Sequence, residues 1–184
     1  EYADEDDTSW KVRCAAAKCA ESICKLPGFD RGAQAAILLT LVERTDKATA
    51  TVVKMGLYAA IGQIGLLPDT DTSVLDSLVP KIVTNELDYK SKARIAALTA
   101  LRSFAQAHGG CFSSNMPLLA PGLYKAVRST LADVKTVALA LLGDLVCTTP
   151  AESLKDCIGA LSDAVATCIG SDARVCIQAF RQIC

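Results

Sequence analysis

Nine cysteines, Cys14, Cys19, Cys24, Cys111, Cys147, Cys157, Cys168, Cys176 and Cys184, and one histidine, His108, are the residues whose side chains could carry metal or nucleophilic chemistry. A Cys/His zinc site needs closely spaced ligand pairs. No C-x-x-C is present, and a single histidine cannot make a pair. Most of the cysteines stand among Ala, Leu, Ile and Val, where a thiol behaves as a small hydrophobe. They read as reduced, buried filler in a cytosolic or nuclear protein. The alternative, a disulfide framework, is one that a helical chain this long and apolar does not need. His108 lies in FAQAHGGC at a helix end, where an imidazole complements the helix dipole or sits in a loop. Cys111 is close to it in sequence, but a Gly-Gly loop supplies no third group to orient a nucleophile and base. The chain has no phosphate loop, H-E-x-x-H, EF-hand or G-x-S-x-G. No catalytic residue, metal or cofactor is expected, and the chain does not read as an enzyme.

The elements that position these residues come from an internal repeat. Aligning WKVRCAAAKC, TVVKMGLYAA, KARIAALTAL, KTVALALLGD and RVCIQAF places Arg13, Val53, Arg94, Val137 and Cys176 in one column, at steps of 40, 41, 43 and 39 residues. This is the HEAT or armadillo period. Three residues on stand Ala16, Gly56, Ala97, Ala140 and Ala179, small enough for close helix packing. The next column, Ala17, Leu57, Leu98, Leu141 and Phe180, supplies an apolar stripe. Four residues before the reference column come Ser9, Thr49, Lys90, Asp133 and Asp172, which read as an N-cap column. Between these second helices lie amphipathic first helices at about 29–44, 73–87, 116–131 and 152–169, two of which carry an internal proline, Pro80 and Pro121.

The expected fold is therefore all-α, a HEAT/armadillo-like α-solenoid of one lone helix followed by four helix pairs. It forms a single array over 1–184, with 1–8 as the end of an acidic loop and repeats at about 9–25, 29–67, 73–108, 116–148 and 152–184. Composition agrees. Half of the residues are apolar and only 5% aromatic, a balance suited to closely packed helices. The 19 Lys and Arg nearly cancel the 20 Asp and Glu, which speaks against a general nucleic-acid surface. No apolar run is long enough for a membrane span, and Glu1 reads as an internal cut without a secretory signal. An array cut within a repeat lacks polar caps, so the ends of such a fragment are expected to self-associate.

One column suggests a binding surface. Lys11, Thr51, Lys92, Lys135 and Arg174 place a cation at the same point in four of five repeats, although a cation there opposes the helix dipole. One explanation is an inter-repeat ladder with neighbouring carboxylates. The other is a basic stripe that engages an acidic protein partner. With Trp10, Arg13 and Arg94, these cations Lys11, Lys92, Lys135 and Arg174 are the candidate protein-binding residues. Trp10 reads either as packed against a preceding helix or as an exposed anchor.

The opening block EYADEDDTSWKVRCAAAKC resembles a segment of the cullin-associated and neddylation-dissociated family, also described as TATA-binding-protein-interacting. Looser likeness continues in SLVPKIV around Pro80, YKSKARIAALTAL after Leu87 and NMPLLAPGLYKAV around Pro121. The chain departs from the family in carrying Cys14 and many downstream cysteines, and in its loops. The resemblance implies an internal piece of a longer HEAT solenoid that wraps an unneddylated cullin with its RING subunit and promotes exchange of substrate-receptor modules on cullin-RING (SCF-type) ubiquitin ligases, in cytoplasm and nucleus. Asp4 to Asp7 would then end an acidic loop. The alternative function for the same architecture is a HEAT scaffold of a nuclear transport receptor or a phosphatase-type complex.

Overall fold

The computed structural model describes residues 9–87 and 92–171. Over these residues the chain is all-helical and contains no strand. Its helices are α1 (Ser9–Cys24), α2 (Arg31–Lys47), α3 (Thr51–Gly65), α4 (Leu75–Ile82), α5 (Arg94–Ala107), α6 (Met116–Val127), α7 (Ala132–Thr148), α8 (Ala151–Leu154) and α9 (Ile158–Ser171). A 3-10 turn, Thr72–Val74, leads into α4, and a π turn, Val83–Leu87, follows it.

Two layers result. In one, α1 packs on α3, α3 on α5 and α5 on α7; in the other, α2 packs on α4, α4 on α6 and α6 on α9. Within each pair α2 meets α3, α4 meets α5 and α6 meets α7. This is the expected α-solenoid, a lone second helix followed by pairs. Arg174, Cys176, Ala179 and Phe180, expected in the second helix of the last pair, lie outside the described residues.

The apolar column holds: Ala17, Leu57, Leu98 and Leu141 are all buried. Around it Tyr58, Phe104, Phe112, Leu38 and Ile61 fill the space between layers. Sharp connections follow from glycine. In Leu26-Pro27-Gly28-Phe29 the Phe29 N–H donates to Leu26 O at 3.1 Å and Gly28 has φ +76°. Proline second and a positive-φ glycine third define a type II turn, and Gly110 plays the same part, at φ +78°, between His108 and Cys111.

Helix starts differ from the expected N-cap column. The cap of α3 is Ala50, not Thr49, and that of α7 is Leu131, with Asp133 inside the first turn; neither has a side-chain cap bond. The side-chain caps belong to first helices instead. Asp30 accepts from Ala33 N at 2.8 Å, and Asp71 accepts from Ser73 N at 2.9 Å. Second helices are held by packing on two neighbours, so their ends depend less on local capping. The first helices also differ in detail. Pro80 has no N–H for the i−4 carbonyl, and α4 gives way to the π turn three residues later. The expected helix at 152–169 is divided at 155–157, where Cys157 N and Sγ both turn back to Leu154 O, at 3.0 and 3.3 Å.

The glycines of MGLYAAIGQIG are contact points between helices. A Cβ on Gly56 would meet Cys14 Sγ of α1 at 3.4 Å; on Gly62 it would meet Ala100 Cα of α5 at 3.1 Å; and on Gly65 it would lie 2.6 Å from the Phe104 ring. Phe104 is fully buried and cannot swing aside. Gly65→Ala is therefore expected to lower stability by about 1–3 kcal/mol, the range for overpacking, as a drop in melting temperature with helicity retained. An unchanged melting curve would show that α3 and α5 can separate at no cost.

Candidate protein interface

The described candidate binding residues fall into two settings, and Arg174 lies outside the described residues. Trp10, Lys11, Arg13 and Lys92 are exposed. The Lys11 ammonium stands 5.6 Å from the centre of the Trp10 ring, within cation–π range, and Trp10 keeps 37% of its surface. Arg13 turns back on its own helix, Nη2 donating to Ser9 Oγ at 2.6 Å. Arg94 and Lys135, by contrast, are buried, at 9% and 8% exposure. Arg94 Nε donates to the Glu86 carbonyl at 3.0 Å. The cation column is thus split by burial, because its α7 member turns inward. Lys135→Glu would place a carboxylate in the core and report on stability. Lys11 and Lys92 are the described members of that column open to a partner.

Polar contacts also join neighbouring pairs. On the second-helix side Lys25 Nζ donates to Gln63 Oε1 at 3.0 Å, and Asp144 Oδ2 accepts from Arg102 Nε at 2.7 Å and from Gln106 Nε2 at 3.1 Å. On the first-helix side Lys81 pairs with Asp46, which also accepts from Asn85 Nδ2 at 2.8 Å, while Asn115 Nδ2 donates to Asp76 Oδ1 at 3.0 Å. His108 belongs to this set. Its Nε2 lies 3.0 Å from Gly65 O; a carbonyl only accepts, so Nε2 carries the proton and ties the ends of α3 and α5 together.

The most constrained polar group is Glu86, which the repeat columns do not single out. It sits in the π turn with no exposed surface. Lys54 Nζ and Tyr58 OH, one helical turn apart on α3, both donate to its Oε1 at 3.2 Å. Oε2 has no partner among the described residues. Burial, and next the Glu86 carboxylate, push the Tyr58 phenol above its ordinary range. A signal for this site was in the sequence: Leu75, Val79, Ile82 and Glu86 follow a helical three-to-four spacing, which puts the acid on the buried face.

The cysteines are less uniform than expected. Cys24 and Cys168 are buried, Cys14, Cys111 and Cys157 are half-buried, and Cys19 and Cys147 are exposed. No group of three metal-ligating side chains occurs among the described residues. Burial pushes the Cys111 thiol up to about 11, and its Sγ donates to Phe104 O at 3.7 Å. A cleft of about 510 Å³ lies between α6 and the α8–α9 segment, lined by Pro117, Pro121, Tyr124, Cys157 and Leu161 with Asp156 and Asp163. No described helix is long and apolar enough to cross a membrane.

Two outcomes follow from this geometry. Lys54→Met leaves the Glu86 carboxylate buried without its cation and should cost about 2–4 kcal/mol, whereas Lys54→Met with Glu86→Leu should recover most of that loss; equal stability of the single and double variants would show that the pair is not coupled. Because only the thiolate reacts, iodoacetamide at pH 8 should modify Cys19 and Cys147 well before Cys111, with Cys111 labelling rising only as pH approaches 11. Equal labelling rates by mass spectrometry at pH 8 would contradict that order.

No family model matches the chain, and no solved structure matches it. Among curated proteins it is similar to cullin-associated NEDD8-dissociated protein 2 of Rattus norvegicus, at 28% identity over an alignment that covers 91% of the chain. Against the protein of the same name from Mus musculus the identity is 27% over the same share. The chain spans 15% of the length of these relatives, and the likeness runs through nearly all of the two-layered helical array rather than one segment of it.

Proposed function

We propose that this chain is a protein-binding stretch of a HEAT scaffold, part of an assembly and substrate-receptor exchange factor for cullin-RING ubiquitin ligases, and that the protein carrying it binds unneddylated cullin with its RING subunit in cytoplasm and nucleus. The observation that supports the reading is the similarity over 91% of the chain to proteins named for cullin association and NEDD8 dissociation. The fold is suited to it. Stacked helix pairs present extended surfaces to large partners and do so without bond chemistry. The exposed Trp10, Lys11, Arg13 and Lys92 are the residues of this stretch proposed to face the partner, with Arg94 and Lys135 supporting the helices from inside. Arg174 keeps its place as a proposed contact from the repeat alone.

An encircling solenoid spreads its affinity over many repeats, so the test uses the full-length protein that carries this sequence. Immobilised on beads, it should retain an unmodified cullin–RING complex and release the same complex once NEDD8 is attached. Equal retention of both forms, or of neither, would defeat the proposal.

A further inference from the structure

The solvent face of α1, α3 and α5 combines two features that the repeat columns do not connect. First, it exposes large aliphatic side chains. Val12 keeps 70% of its surface, Val52 52%, Met55 44% and Ile95 37%. Second, it is basic although the chain as a whole has a net charge of −1. Helices α3 and α5 contain no Asp or Glu at all. In α1 the one carboxylate, Glu21, is paired with Lys25 at 2.6 Å. Against it stand Lys11, Arg13 and Lys18 on α1, all exposed, and Lys92 just ahead of α5, also exposed.

The packing brings the aliphatic residues into one strip. Cys14 Sγ donates to Val52 O at 3.7 Å, and a Cβ on Gly56 would meet Cys14; Val12 and Val52 thus stand at the same end of adjacent helices. The contacts of Gly62 with Ala100 and Gly65 with Phe104 advance together, so α3 and α5 run parallel. Two turns earlier the same register sets Met55 level with the first turn of α5, where Ile95 stands. Three helices at spacings of about 8–10 Å make the strip about 20 Å long, which a helix of about 14 residues covers at 1.5 Å per residue.

We propose that Val12, Val52, Met55 and Ile95, flanked by Lys11 and Lys92, form the docking strip for an acidic amphipathic helix of a protein partner. This rests on the protein-binding reading above and adds the chemistry of the partner segment. Its apolar face, with anchors at helical spacing, covers the aliphatic strip in the helix-on-groove manner. Met55, unbranched and adaptable, accepts anchors of different shape. Its acidic residues meet Lys11, Arg13 and Lys92, setting orientation and speeding encounter. Four aliphatic side chains among so few cations favour a protein helix over a nucleic acid, whose backbone would use the charge alone.

The test is fluorescence anisotropy on this chain with a labelled helical peptide of about 20 residues, Leu on one face and Glu on the other, beside a peptide with Lys in place of Glu. The Glu peptide should bind and the Lys peptide should not. Val52→Asp with Met55→Asp, both exposed, should weaken binding by about tenfold or more while melting is unchanged. Lys11→Glu with Lys92→Glu should weaken it too and flatten its salt dependence. No binding of the Glu peptide, equal binding of the Lys peptide, unchanged affinity in the Val52/Met55 variant, or capture of single-stranded RNA in preference to the peptide would overturn the strip. Cullin retention separates the two proposals: full-length protein that holds cullin equally well with and without the Val52/Met55 changes sinks the strip alone, and a chain that binds the peptide while the full-length protein ignores cullin sinks the cullin reading alone.

Discussion

Everything in this fold depends on how closely α3 can approach its neighbours on both sides. The helix carries Gly56 toward α1, where a methyl group would just touch Cys14, and Gly62 and Gly65 toward α5, where a methyl group would press on the next helix. Close approach matters because a solenoid has no central core; each pair buries its apolar face only against adjacent pairs. With backbones near each other, Leu57, Ile61, Ile64, Leu98, Leu101 and Phe104 become fully or nearly fully buried. Glycine within a helix carries an entropic penalty of about 1 kcal/mol relative to alanine. Here the interhelical contacts offset it, and they explain glycines that in sequence resemble only interruptions of a helix.

The same closeness decides what the surface can offer. Helix faces turned to neighbours are consumed by packing, and only outward faces keep side chains for a partner. That is why the cation column has members of different fate. Lys11 and Lys92 precede or begin their helices on open faces, whereas Lys135 enters α7 with its side chain among the packed layers. One alignment column therefore contains residues in different roles, exposed at Lys11 and Lys92 and buried at Lys135.

Much of the architecture was legible from periodicity. Steps near 40 residues and the column Ala17, Leu57, Leu98 and Leu141 depend on helix spacing alone, and these positions are buried as the spacing requires. What was not legible depended on tertiary partners. Thr49 has a good capping side chain, yet α3 starts two residues later, at Thr51, because packing overrides a local preference worth about 1 kcal/mol. Cys19 and Cys147 stand in apolar company along the sequence but on outward helix faces. Glu86 was visible as an acid at a core spacing; its partners Lys54 and Tyr58 were not, because they come from the preceding pair.

The Lys54–Glu86–Tyr58 contact gives the α3–α5 neighbourhood a thermal character different from the apolar contacts around it. Hydration of ions carries a strongly negative entropy, so the penalty for keeping the Glu86 carboxylate and the Lys54 ammonium out of water shrinks on warming, while apolar burial gains little more. In a linear array, where each junction holds largely on its own, heat does not weaken all junctions alike. The contacts through Glu86 lose proportionately less than the aliphatic contacts packed around them, and the balance of cohesion within this junction shifts toward them as temperature rises.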